Sequence, residues 1–293
     1  LGDVAAIWRY WPTRFLAFYS FAIDYRLWGT APAGYHLVSI GFHAATACLA
    51  AWLFRLALRA PAVAPGAPSG EAAGVWVGLL FAVHPVQTEA VTYVYQRCAV
   101  MATFFYVLSL CLYLRFRLGP RGAGGGSAGW YAAAAGSGLA AMFCKEIAFT
   151  LPAAVLLCEA CFFRRGRRIE WRYAAPFLLV AAAIPLTGLA TGSLGSMRPG
   201  AMESSPTVGP RDAMPIPPTA YLATQPRVLL TYLRLLFLPW NQNLDYDYPI
   251  FQSVWHVPAL AGLCVLALMV AAGVVLMRGR PLAAFGIFWF LIG

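Results

Sequence analysis

Apolar runs long enough to cross a bilayer recur along this sequence, and every second boundary between them carries arginines. A bilayer core takes about 20 apolar helical residues. A backbone crossing it must satisfy its own hydrogen bonds, which leaves helices or closed barrels. These runs predict an all-α, polytopic integral membrane protein. Of 293 residues, 61% are hydrophobic and 11% charged. Soluble domains carry about a quarter charged residues. The mean hydropathy of +0.68 agrees with the membrane reading.

The expected spans are 35–58, 72–83, 99–118, 130–144, 147–163, 173–191 and 257–277, with one more starting near Pro281. The second is short and breaks at His84-Pro85. Arg55/Arg59, Arg115–Arg121, Arg164–Arg172 and Arg278/Arg280 fall on one side of the bilayer. The positive-inside rule makes that side cytoplasmic. His84–Arg97, Lys145-Glu146 and 192–255 then face out, as does 1–34, an aromatic-rich segment with the composition of an interfacial helix. Four regions follow: 1–34 at the external interface, 35–191 spanning, 192–255 external with an amphipathic helix, and 256–293 spanning. Leu1 in place of Met, and an apolar run interrupted at Gly293, predict a longer parent chain. The net charge of +10 does not predict nucleic-acid binding, because the charges flank apolar runs. All but one of the 21 basic residues are Arg, which fits a GC-rich bacterial genome. Seven cysteines lie mostly in apolar runs, and Cys158 and Cys161 have no second pair. Neither a metal site nor a cofactor is expected.

Polar residues beside spans are the candidates for chemistry, since ionisable groups near hydrocarbon are costly and functional by default. The chain can restart as a helix at Pro85, placing Glu89, Tyr93 and Arg97 on one face. That face lines a cavity, or simply meets water. Lys145 and Glu146 neutralise each other in a tight turn, or one binds an anion that the other orients. Over 224–238 an amphipathic helix is expected. Arg227, Thr231 and Arg234 share one stripe, and Val228, Leu229, Tyr232, Leu235 and Leu236 cover much of the rest. Two arginines on a stripe suit a phosphate; snorkelling explains them equally. A polar, aromatic loop with Asp245 and Asp247 follows.

Three blocks carry a family resemblance. They are Pro12-Thr13-Arg14 through Gly34-Tyr35-His36-Leu37-Val38; His84-Pro85-Val86-Gln87-Thr88-Glu89-Ala90-Val91 with Arg97; and Cys144-Lys145-Glu146. With the 227–248 stretch, they resemble bacterial relatives of the transmembrane and tetratricopeptide-repeat O-mannosyltransferases of the GT-C glycosyltransferase superfamily. The resemblance implies a GT-C-like helix bundle in the bacterial inner membrane. Its site faces the periplasm and moves mannose or a similar hexose from a polyprenyl-phosphate carrier to Ser/Thr of an acceptor protein. It also implies an external acidic pair holding the catalytic base, expected upstream of Leu1, and repeats expected beyond Gly293. Asp3 and Asp24 do not match that pair.

Such a reaction needs a carboxylate for the acceptor proton and cations for the phosphate leaving group. Glu89, to orient the acceptor or the cations, and His84, to hydrogen-bond either substrate, are the catalytic candidates within this sequence, the base itself being expected upstream. Arg227, Arg234, Lys145 and Arg97 are the phosphate candidates. Arg14, Glu146, Tyr93, Tyr232 and Asp245 are expected to line the cavity. A transporter or flippase for a lipid-linked glycan is the rival reading, and a structural membrane anchor the third.

Overall fold

The computed structural model describes residues 4–63, 70–119, 127–164, 169–191, 217–243, 246 and 248–293. These residues form helices, with no strand among them. Five helical segments are long and apolar enough to cross a membrane: Pro32–Leu58, Val94–Arg117, Glu146–Phe163, Trp171–Thr191 and Val257–Leu276. The protein is an all-α polytopic membrane protein.

The chain opens with α1 (Val4–Tyr10), a 3-10 turn Pro12–Arg14, and α2 (Phe15–Trp28). Pro32 starts α3 (Pro32–Leu58), a position where its missing N–H costs nothing. The antiparallel α4 (Gly70–Val83) returns along it. His43 meets the Ala82 carbonyl at one end of the pair. At the other, Gly74 lies on Arg55, and a Cβ on Gly78 would sit 2.9 Å from the Ala47 carbonyl oxygen. Two glycines four residues apart therefore set this close helix approach, as is common between membrane helices.

At Pro85 the chain leaves α4 for a 3-10 turn and the short α5 (Thr88–Thr92). Tyr93 is extended, and a second 3-10 turn, Val94–Gln96, leads into α6 (Arg97–Arg117). The continuous restart expected from Pro85 is therefore interrupted, and Glu89, Tyr93 and Arg97 do not share one helical face. The antiparallel α7 (Ala128–Met142) packs on α6, with Ser109 bonded to the Ala134 carbonyl. After Lys145 comes a 3-10 stretch, Glu146–Thr150, then α8 (Leu151–Cys158) and a π turn Glu159–Phe163. This segment runs parallel to α6: Tyr106 meets Thr150, and Arg117 meets Glu159. Prolines divide the next span into α9 (Trp171–Ala174), α10 (Pro176–Ala181) and α11 (Ala183–Thr191). The expected amphipathic helix is α12 (Pro218–Phe237), longer at its N-terminus than the periodicity predicted. It crosses α13 (Val257–Leu276) where Gly262 meets the Pro226 backbone. Finally α14 (Pro281–Ile292) places Phe285 on Phe162 and Trp289 on Tyr106.

Two ion pairs are sealed inside the bundle. Arg97 is fully buried: it pairs with Asp24, donates to Ser39 Oγ at 3.3 Å and to the Tyr35 carbonyl at 2.5 Å, and stacks on Phe21. This pair ties α2 and α3 to the start of α6. At the opposite end, Arg117 donates to both oxygens of Glu159, at 2.6 and 2.9 Å. The Tyr113 hydroxyl donates to the same carboxylate at 2.7 Å. Removing one member of a buried pair strands the other in low dielectric, at a cost of about 3–5 kcal/mol. Arg97→Met is therefore expected to lower the unfolding temperature in detergent strongly, measured by tryptophan fluorescence. An unchanged midpoint would show that Asp24 does not depend on it.

Candidate functional site

The ends of α4 and α7, the starts of α6 and α8, and the 3-10 turn before α2 meet at the end of the bundle opposite Arg55, Arg117 and Arg164. Leu16 N–H donates to the Phe143 carbonyl at 3.0 Å, docking the N-terminal helices onto the turn that carries Lys145. The dock delivers Arg14, nine-tenths buried, as a fork to Glu146. Its Nε lies 3.0 and 3.1 Å from the two carboxylate oxygens, and Nη2 lies 2.8 Å from Oε2. Nη1 donates to Tyr95 Oη at 3.0 Å, and Thr13 Oγ1 donates to Glu146 at 3.3 Å. Fork-to-carboxylate pairs are strong and directional. Glu146 is thus committed to Arg14, not to its neighbour Lys145.

Lys145 is half-buried and donates to Gln96 Oε1 at 3.2 Å. Gln96 Nε2 in turn donates to Glu89 Oε1 at 2.7 Å. No carboxylate oxygen lies within 4 Å of the Lys145 amine among the described residues. Burial pushes this amine below the ordinary lysine pKa, and Arg14 pushes it further; Cys98, Glu146 and Glu89 partly offset them. Two expectations are changed here. Lys145 and Glu146 do not neutralise each other. The residue that shares a network with Glu89 is Gln96, because the break at Tyr93 turns Arg97 inward to Asp24. Arg97 has no face left for a phosphate. Tyr93 is half-exposed, its ring 6.3 Å from that of Tyr95.

His84 serves as a strut. Its Nδ1 accepts from Val86 N–H at 3.2 Å, so Nε2 carries the proton and donates to the Leu236 carbonyl at 3.0 Å. This bond ties the His84 turn to the last turn of α12. Burial holds the Tyr232 phenol above its ordinary pKa, with Tyr248 and Glu89 adding to it, so Tyr232 lies on the Glu89 side of α12. The Tyr248 hydroxyl is buried without a hydrogen-bond partner among the described residues. Arg227 and Arg234 do share a stripe, but at 100° per residue it lies about 150° around the helix from Tyr232. Arg234 Nη1 donates to the Trp240 carbonyl at 3.2 Å, and Arg227 is exposed. No hydrogen bond or ion pair joins either arginine to the Lys145 network among the described residues. Asp245 lies outside the described residues, as does Asp3.

Asp24 is the site-end residue that sequence reasoning missed. Its signal was available: a lone carboxylate in an apolar, aromatic helix requires a buried cation. No three of His, Cys, Asp or Glu converge among the described residues.

Lys145 is the one lysine in the sequence, so amine-selective acylation mapped by peptide mass reads it directly. With its pKa lowered, the neutral, reactive amine should appear at lower pH than in an ordinary lysine peptide. A reactivity profile matching the free peptide, or lying above it, would contradict the burial described here.

Comparison with known proteins gives relatives named as protein O-mannosyl-transferases. Protein O-mannosyl-transferase Tmtc1 of Drosophila melanogaster is 36% identical over 148 residues, which is 50% of this chain and 15% of that protein. Protein O-mannosyl-transferase TMTC2 of Homo sapiens is 33% identical over 152 residues, again 50% of this chain and 16% of that protein. Human TMTC4, also named a protein O-mannosyl-transferase, is 32% identical over 143 residues, 47% of this chain and 19% of that protein. The matched stretch is thus under a fifth of each of these relatives. No family model and no solved structure matches the sequence. The relatives support the family that the sequence blocks resemble.

Proposed function

We propose that this chain is the membrane part of a glycosyltransferase. It transfers mannose or a similar hexose from a polyprenyl-phosphate carrier to Ser/Thr hydroxyls of a protein, on the extracytoplasmic side of a bacterial inner membrane. The observation that carries the reading is Lys145. It is a half-buried cation with an amide rather than a carboxylate for a partner, linked through that amide to Glu89 at the end of the bundle opposite Arg55, Arg117 and Arg164. The arginine-flanked ends match the cytoplasmic side, so this site opens to the other leaflet.

The reaction breaks the bond between the sugar's anomeric carbon and the phosphate oxygen, which leaves with the electron pair. The acceptor hydroxyl oxygen forms the new bond to that carbon, and its proton passes to a carboxylate. The phosphate is anionic before and after, so it needs a cation rather than an acid. Lys145 holds it; Arg14, already forked to Glu146, fixes the wall beside it. Glu89 Oε1 is bonded to Gln96, and Oε2 has no hydrogen-bond donor among the described residues. That oxygen receives the acceptor's hydrogen bond. A single displacement of this kind inverts the anomeric centre. The Tyr232 and Tyr248 rings bound the sugar's side of the pocket, and His84 keeps α12 in place over it.

A hydrogen bond to a charged group contributes about 1.5–3 kcal/mol, which is about 10- to 100-fold in affinity. In lipid nanodiscs with a polyprenyl-phosphate mannose and a Ser/Thr peptide, Lys145→Met should raise the KM for the donor by about that factor. Glu89→Gln should instead lower kcat by roughly 10²-fold or more, as for loss of a proton acceptor. Transfer by Lys145→Met at the wild-type donor KM would remove the phosphate from this residue. Protein-dependent movement of the labelled lipid between leaflets, without sugar transfer, would favour the flippase.

A further inference from the structure

We infer that Gln96 is a positioning residue: it holds Lys145 and Glu89 apart, so that the site presents a separated cation and carboxylate instead of a salt bridge. The inference rests on the proposed donor site for its meaning, but not for its geometry.

The two partners settle which way the amide points. An ammonium only donates and a carboxylate only accepts. Gln96 Oε1 therefore faces Lys145, and Nε2 faces Glu89. A neutral side chain with one acceptor end and one donor end spans the two charges without cancelling either. The backbone is shaped for this. In an unbroken helix, residues seven apart are separated by about 10.5 Å along the axis, a span that only side chains stretched fully along the axis would bridge, whereas Gln96 and Glu89 meet at 2.7 Å. The extended residue Tyr93 and the 3-10 turn Val94–Gln96 fold Gln96 back toward α5. The next residue is Arg97, locked to Asp24 in the interior. Gln96 is thus anchored by a buried neighbour while its amide faces the pocket.

The charges around Lys145 explain why a spacer is needed. Arg14, Glu146, Glu89 and Cys98 face it. Glu146 is taken by Arg14, which leaves Glu89 as the carboxylate free to attract it. A lysine carries its ammonium on a flexible four-carbon stem. With no amide between them, Lys145 would close on Glu89, and a phosphate and an acceptor hydroxyl would each have to break that pair. A glutamate at position 96 would neutralise Lys145 directly and repel Glu89.

The test uses Gln96→Leu and Gln96→Glu in nanodiscs, with two readouts. The first is the pH profile of Lys145 acylation, which needs no donor. Both variants bring a carboxylate onto the amine, so the profile should move to higher pH than in the wild type. The second is donor kinetics: KM should rise about 10-fold, the scale of one charge-assisted bond, with kcat changed less. In Gln96→Glu, lowering the pH protonates the new carboxyl and should bring KM back toward the wild-type value, which a merely structural role would not produce. An acylation profile unmoved in either variant overturns the spacer. If Gln96→Leu does not fold, the near-isosteric Gln96→Glu carries the test alone. A shifted profile together with wild-type transfer by Lys145→Met would keep the spacer geometry and discard the phosphate site. Loss of transfer in Lys145→Met with an unmoved Gln96 profile would do the reverse.

Discussion

A charge inside an apolar helix bundle must find an opposite charge or an open polar pocket, and that constraint orders this molecule. Asp24 and Glu159 lie within apolar helices, and each has an arginine: Arg97 and Arg117. Both pairs sit where α6 begins and ends, so they pin the bundle's most enclosed helix to α2 and α3 at one end and to the α8 segment at the other. Isolated ions of this kind would be expelled or neutralised; paired and hydrogen-bonded, they fix which helices are neighbours. Lys145 breaks the pattern. Its environment is dry enough to disfavour its charge, yet no carboxylate within 4 Å compensates it among the described residues. A cation held in that state has unused capacity for an anion, which is why we propose the phosphate site there rather than at the buried, paired arginines.

Five of the expected spans were legible because their signal is local: length, apolarity and flanking arginine are properties of consecutive residues. The same holds for Pro281 at a helix start, whereas α3 begins at Pro32, three residues before the expected Tyr35. The break at Tyr93 was not legible, because no proline or glycine marks it. It lets Arg97 turn inward to a carboxylate 73 residues earlier, a long-range pairing that periodicity over 85–97 cannot register. Once Arg97 turns inward, Gln96 turns outward, and the face expected to carry Glu89, Tyr93 and Arg97 is replaced by the Glu89–Gln96–Lys145 chain.

The candidate site was half legible for the same reason. Motif residues Arg14, Glu89, Lys145 and Glu146 do converge, from stretches as far apart as Arg14 and Glu146, 132 positions along the chain. Their pairing was not foreseen. Adjacent Lys and Glu look like a pair on paper, but successive residues at a helix start point in different directions. Here Glu146 turns to the N-terminal dock and Lys145 to Gln96, in the turn before α6. Arg227 and Arg234 were favoured because two cations on one stripe ask for an anion. The stripe is there, but α12 is oriented by its own packing: Pro226 sits on Gly262, and the Leu236 carbonyl sits on His84. Amphipathicity reports that a helix has two faces without reporting what each face meets.

His84 shows how the same motif residue can look catalytic and act mechanically. One ring nitrogen is spent on the Val86 N–H of its own turn and the other on the end of α12, leaving neither for a substrate. A histidine suits that place because it offers an acceptor and a donor on opposite sides of one rigid ring, which lets it cap the turn after α4 and hold a second helix at once. The helix it holds carries Tyr232 toward Glu89. The His84-Pro85 break therefore ties the end of α12, from the far side of the sequence, to the turn that leads into the Glu89–Gln96–Lys145 chain.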